Sequence, residues 1–347
     1  MNRTATLMLA AAALALSAAA PTSAQDITYS VSENLQLPAD TFFGQTMGVA
    51  TNSKGHVFVY TRNGEPTISL GGSRAFAHGG SALYEFGPDG KFIRRIGRQA
   101  YGFLAAQQVR VDAQDNIWVV DAYSSMVMKL NSNGQVVMLL GRKPESVDVP
   151  EAPARGRAKP GAAPASGMDS DLFEHPADVA WDADGNIFVA DGLANARVVK
   201  FNRDGVFQKS WGGRGTGNGE FAKAHSIAVD AGGNVYVADR GNNRIQVFDN
   251  NGNFKSAITN AGDPQALCIT PGAHQYLYSS NSNPVTDIDH GGEISKLELD
   301  GTLVARFGHA GKQPREFNAV NAIDCRTANQ LYVAEAGNWR VTKVSLK

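Results

Sequence analysis

Two stretches of this chain can be laid over one another almost residue for residue, and that self-similarity restricts the fold more than any other feature. One copy opens at Phe173, passes through Val179–Asp182 and the Asp184-Gly185 turn, and continues as Ile187–Asp191, Asn195–Phe201 and Asp204–Phe207. The next opens 48 residues later at Phe221, with Ile227–Asp230, Val235–Asp239, Asn243–Phe248 and Asn251–Phe254 in the same places. Four further copies fit this frame. Their first strands begin at Val49, Val109, Leu267 and Ile323, and their second strands at Val57, Ile117, Leu277 and Leu331. With Val179 and Ile227 this makes six starts, spaced 60, 70, 48, 40 and 56 residues apart. Insertions therefore decorate a common unit of about 40–45 residues, the length of a four-stranded propeller blade.

Within each unit, short alternating apolar runs are broken by Asp-Gly, Asn-Gly or Gly-Asn, which is the signature of strands joined by tight hairpins. The 37 glycines and the 43% hydrophobic content suit many short strands around a large core. A single blade cannot bury both of its faces, whereas six arranged radially can. The predicted fold is all-β: a six-bladed β-propeller forming one domain over residues 25–347. The sixth unit stops at its third strand, Val341–Val344, while Ile27–Leu37 alternates well before the first unit. The N-terminal segment is expected to supply the missing outer strand and close the ring, since an unpaired edge is a liability.

Two segments stand apart from the repeats. Residues 1–24 read as a secretory signal peptide, with Arg3 in the charged region, an apolar run over Leu7–Ala20, and Thr22-Ser23-Ala24 before Gln25. Export to a periplasmic or secreted location follows, with no membrane span in the mature chain; a retained amphiphilic anchor is the other reading. Residues 142–168 carry Pro144, Pro150, Pro153, Pro160 and Pro164 with little apolar content. They are expected to form a flexible insertion between blades two and three, or a lid ordered by ligand. The net charge of −1 gives no support for a nucleic-acid partner.

The frame assigns each loop to a face. Loops from second to third strands, and from blade to blade, share the face that carries the long insertions. His78, His175, His225, His290 and His309 fall there, and His56 and His274 fall on the other face. Imidazoles around one mouth suit a metal or acid–base site, here from His78, His175, His225 and His290; solvent exposure of each is the plain alternative. His225 lies in the turn feeding an innermost strand, two residues before Ile227. Arg62 and Arg240 both follow the end of a second strand, in blades one and four, which are opposite in a six-fold ring. Two guanidiniums at a shared mouth can hold a carboxylate; the alternative is a pair of surface salt bridges. Asp121, Asp191, Asp239 and Glu335 end second strands, and Arg197, Arg244 and Arg340 begin third strands. Their repetition marks them as structural braces. Cys268 and Cys325 have opposite parity on the first strands of blades five and six, which permits either a disulfide or two buried thiols.

Ala238–Phe248 looks like an NHL repeat. The blade order, the insertion after Asn63 and the strand at Ile27 resemble the propeller of the peptidyl-α-hydroxyglycine α-amidating lyase family (peptidylamidoglycolate lyase). That resemblance implies a zinc ion held by three histidines at positions matching Gln107, His225 and Asn321 here, so one histidine is kept. It implies two arginines, matched by Arg62 and Arg240. The family's catalytic tyrosine falls on Leu193 and its calcium-binding aspartate on Ala322, and its loop cysteines are absent. Amide oxygens are poor zinc ligands beside imidazole, and catalytic zinc normally takes three protein ligands. The sequence thus points to a binding protein that receives a small anionic or peptide-derived ligand at Arg62, Arg240 and His225. A metal-dependent lyase or hydrolase with zinc or calcium is the first alternative. A scaffold for a protein partner is the second.

Overall fold

The computed structural model describes residues 27–39, 41–62, 80–98, 100, 102–141, 172–282 and 289–347, together with the backbone of Ser69–Leu70 and Arg74–Ala75. Residues 1–24, His78 and the 142–168 insertion lie outside the described residues. The described chain holds six four-stranded antiparallel sheets and a small Ser69–Leu70/Arg74–Ala75 pair, with no helix. Blade one is Gln45–Thr51, Val57–Arg62, Ser81–Phe86 and Phe92–Ile96. Blade two is Ala106–Val111, Ile117–Asp121, Met126–Leu130 and Val136–Leu140, and blade three is Asp178–Trp181, Ile187–Asp191, Arg197–Phe201 and Phe207–Gly212. Blade four is Ala224–Val229, Val235–Asp239, Arg244–Phe248 and Phe254–Ile258. Blade five is Pro264–Ile269, Tyr276–Asn281, Ile294–Glu298 and Leu303–Phe307. Blade six takes Val320–Thr327, Gln330–Glu335 and Arg340–Leu346 from the C-terminal end. Its outer strand is Tyr29–Ser32, antiparallel to Arg340–Leu346 with Tyr29 opposite Leu346. The chain is a six-bladed β-propeller closed by an N-terminal strand.

Packing explains why six blades make one molecule. Each of the six buried apolar clusters fills one space between neighbouring blades. The cluster of Val49, Val59, Tyr84 and Phe86 with Ala322, Tyr332, Ala334 and Val341 seals blade one against blade six. First strands contact one another in order around the ring and back to the start. A phenylalanine in the linker before a first strand wedges each of four such spaces: Phe103, Phe173, Phe221 and Phe317 are all buried. Each lies against the glycine that ends the preceding outer strand. A Cβ on Gly141 would come within 2.3 Å of the Phe173 ring, and one on Gly308 within 2.5 Å of Phe317. Both glycines also hold a positive φ, 81° and 80°, which other residues rarely adopt.

Cys268 and Cys325 form a disulfide, so of the two readings of these residues the bridge holds. It ties the first strand of blade five to that of blade six, the blade that also joins the two ends of the chain. The acidic residues that end second strands act as braces, as their repetition implied. Asp191 pairs with Arg197 at 2.9 Å, Asp239 with Arg244 at 2.8 Å and Glu335 with Arg340 at 2.8 Å. Asp121 has no such arginine; it receives the Tyr60 hydroxyl and the Leu104, Ala105 and Ser124 N–H groups.

The axis carries one feature the sequence frame did not single out. Arg110, on the first strand of blade two, donates to both carboxylate oxygens of Asp178 in blade three, at 3.0 and 2.6 Å. It also reaches the Leu267 carbonyl of blade five at 3.0 Å and the Ile323 carbonyl of blade six at 3.2 Å. The Ser226 hydroxyl of blade four donates to the same Asp178 at 2.6 Å. Equivalent positions in blades one, three and four are Ala50, Ala180 and Ala228, so none of those blades has a long side chain at this place.

Candidate functional site

Where the first strands reach the long-loop face, the ladder is interrupted in the same way in five blades. Register shifts fall between Thr46 and Gly48, Ala106 and Gln108, Ala224 and Ser226, Pro264 and Leu267, and Val320 and Ala322. The residues within these β-bulges are Met47, Gln107, His225, Gln265 with Ala266, and Asn321. A bulge re-aims a side chain that regular pairing would send between the blades. Met47, Gln107, His225, Gln265 and Asn321 all line one axial cavity of about 330 Å³. This corrects the placement of His225: it lies inside the strand Ala224–Val229, at its bulge, and not in a preceding turn.

Arg62 and Arg240 line the same cavity, from blades one and four. Equivalent positions in the other blades are Ala122, Gly192, Ser282 and Ala336, all small, so only blades one and four have a long cation at this place. Arg62 is held in place by protein oxygens: Nε donates to the Ala106 carbonyl at 2.6 Å and Nη2 to Gln107 Oε1 at 2.7 Å. Arg240 has a looser partner, Asp263 at 3.6 Å. Among the described residues, no carboxylate lines the cavity.

His225 is buried, and its Nδ1 lies 2.9 Å from the Gln265 carbonyl oxygen. A carbonyl only accepts, so Nδ1 carries the proton and Nε2 keeps its lone pair. Burial, and then the nearby charge of Arg240, hold the imidazole far below its ordinary value, at about 3, and Lys223 and Arg62 push the same way. The ring is therefore neutral at physiological pH.

The zinc that the family resemblance implies does not fit these residues. Asn321 gives both amide hydrogens to backbone carbonyls, of Met47 at 2.6 Å and Gln107 at 2.9 Å, which fixes its orientation. Its Oδ1 accepts from Gln265 Nε2 at 2.8 Å, and Gln107 Oε1 is taken by Arg62. Of the three positions, His225 alone keeps a suitable donor atom. Among the described residues no group of three or more His, Cys, Asp or Glu is arranged to hold a metal. Of the histidines the sequence grouped, His175 and His225 both line the cavity. His290 is exposed and outside the lining, and His78 lies beyond the described residues.

Four lining residues escaped the sequence reading: Met47, Ala122, Tyr123 and Gln265. The repeat frame held the signal for all of them. Tyr123 follows the second strand of blade two by two residues, as Leu193 does in blade three, and Met47 and Gln265 stand where blades two, four and six have Gln107, His225 and Asn321.

A family described as "6-bladed beta-propeller" matches residues 168–284. Mouse "NHL repeat-containing protein 3" is 32% identical over 181 residues, covering 49% of this chain and 46% of that protein. Its human counterpart is 28% identical over 282 residues, covering 74% of this chain and 71% of that protein. A probable peptidyl-alpha-hydroxyglycine alpha-amidating lyase of Caenorhabditis elegans is 30% identical over 218 residues, 59% of this chain and 55% of that protein. The chain thus spans about half the length of the mouse and nematode relatives. A solved structure of unknown function from Bacteroides thetaiotaomicron superposes with a TM-score of 0.61 at 12% identity, over 93% of this chain and 77% of that one, a likeness of fold alone.

Proposed function

We propose that this NHL-type six-bladed propeller, a relative of the amidating lyases, is an exported binding protein that takes a small anionic or peptide-derived ligand in its axial cavity. One observation carries the reading: two guanidiniums enter a cavity whose lining, among the described residues, has no carboxylate. Arg62 is pre-oriented by the Ala106 and Gln107 oxygens, so little side-chain freedom is lost when it meets an anion. Arg240, with its single long contact, supplies the adaptable second charge. The neutral His225 offers Nε2 as an acceptor for a ligand N–H or O–H. Export is supported by residues 1–24 and by the disulfide, which suits an oxidising compartment. A mature chain that retains residues 1–24, seen by intact-mass measurement, would count against it.

Calorimetric titration with a panel of small carboxylates tests the anion site. Arg240→Ala should weaken binding by about 10-fold or more, the size of a lost hydrogen bond to a charged group, with little change in melting temperature. Equal affinity in the variant and the parent removes the proposal. The names of the relatives favour one second reading, a lyase; if it is metal-dependent, His175 and His225 would contribute. About one zinc per chain surviving purification, lost in His225→Ala, would favour it over simple binding.

A further inference from the structure

Among the described residues the two ends of the cavity lining differ, and the difference bears on what kind of anion it takes. Two residues beyond the end of each second strand, blade two carries Tyr123 and blade three Leu193, while blades four and six carry Gly241 and Gly337. Both large residues line the cavity. His175, from the linker into blade three, stands beside Tyr123 with ring centroids 5.8 Å apart and planes inclined at 59°. His175 holds a left-handed backbone, φ 57°, as does Ala319 at the same place in blade six, so the repeat supplies the conformation and the side chain is what differs. Tyr123 leaves 48% of its surface exposed, one of few large apolar side chains so placed among the described residues. Its ring thus reaches the lining of a cavity that also holds two guanidiniums, with half of the side chain uncovered among the described residues.

From this we infer that the ligand is an aryl-bearing carboxylate: its acid group sits at Arg62 and Arg240, and its ring lies against Tyr123 and Leu193 on the blade-two and blade-three side of the mouth. The inference rests on the anion-binding reading above and adds the chemistry of the other end of the ligand. About 330 Å³ is room for one ring and a short acid arm, at the lower end of small-molecule pockets (~300–1,000 Å³). Aromatic pairs of offset or edge geometry gain beyond the area they bury, so Tyr123 would favour a flat ring over an alkyl chain of similar size.

The test compares 3-phenylpropionate with hexanoate by calorimetry on the full-length mature protein. The parent should prefer the aryl acid by roughly 3- to 10-fold, the worth of an aromatic pair. Tyr123→Ala should bring the two acids to nearly equal affinity, and Tyr123→Phe should keep the preference, since the ring and not the hydroxyl makes it. Tyr123 is half exposed, so neither change should alter the melting temperature appreciably. Arg240→Ala should weaken both acids alike and preserve their ratio. A parent that binds the two acids equally, or a Tyr123→Ala protein that keeps the preference, overturns the aryl inference and leaves the anion site standing. If Arg240→Ala affects neither acid, the anion site itself falls.

Discussion

His225 shows how much one position can carry. In sequence it is one of seven histidines; in the fold it is the bulged residue of an inner strand, neutral and held near a value of about 3 by burial and by Arg240. The sign of its contribution follows. As pH drops below the ordinary value of 6.5, the unfolded chain takes a proton that the folded protein refuses until about 3. Folded-state stability owed to His225 is complete above pH 6.5 and falls through that window by about 1.4 kcal/mol per unit. Asp191 and Asp324, raised chiefly by burial, act in the opposite direction, so the His225 share must be isolated by substitution. Urea unfolding from pH 7 to 4 should show a shallower acid loss in His225→Gln than in the parent. Parallel curves would mean that His225 is charged or solvated in the folded protein.

Among elements, the second-to-third-strand loop is held by one repeated device. The acid that ends a second strand receives the arginine that opens the third, and it also takes an N–H from the linker entering its own blade: Asp191 from Glu174, Asp239 from Ala222, Glu335 from Asn318. Repetition made this legible from sequence, because a catalytic group has no reason to recur in blade after blade. Asp191→Ala should cost about 3–5 kcal/mol, since it removes a carboxylate 2.9 Å from the guanidinium of Arg197, whose side chain is only 5% exposed. Replacing both Asp191 and Arg197 with apolar residues should recover much of that loss, as equilibrium denaturation can show. A loss under 1 kcal/mol in the single variant would mean that solvent reaches the arginine. The bulges at the starts of first strands were not legible. Apolar alternation begins at Val109 or Ile227, whereas pairing begins three residues earlier, at Ala106 and Ala224, and runs through polar side chains such as Gln107 and His225 that no hydrophobic pattern marks.

Over the whole molecule, closure is made three times: by Tyr29–Ser32 on the last blade, by the Cys268–Cys325 bridge, and by Arg110 across the axis. The first is a hydrogen-bonded strand on the outer edge of blade six, and the second a covalent tie between the first strands of blades five and six. Arg110 differs, since its guanidinium meets groups of blades three, five and six. Arg110→Met should lower stability by about 3–5 kcal/mol, because the fully buried Asp178 loses its cation. Arg110→Met with Asp178→Asn should regain a large part. If the single variant melts within a degree or two of the parent, the axial tie contributes nothing to the ring.

What the sequence determined by itself was the count of blades, the strand order within them, the closing segment and the sorting of loops to faces. All of these follow from a period of local hydrophobic alternation, which each stretch of chain carries without reference to the rest. Only the tertiary structure decided which side chains meet at the axis. Gln107, His225, Gln265 and Asn321 come from four blades, and their side chains and carbonyls satisfy one another and Arg62 in a network that no segment encodes alone. The same holds for Cys268 and Cys325, whose parity allowed two outcomes until the spacing of adjacent blades fixed one. Convergence at an axis depends on how far each strand reaches and where its ladder slips, and those are properties of the closed ring.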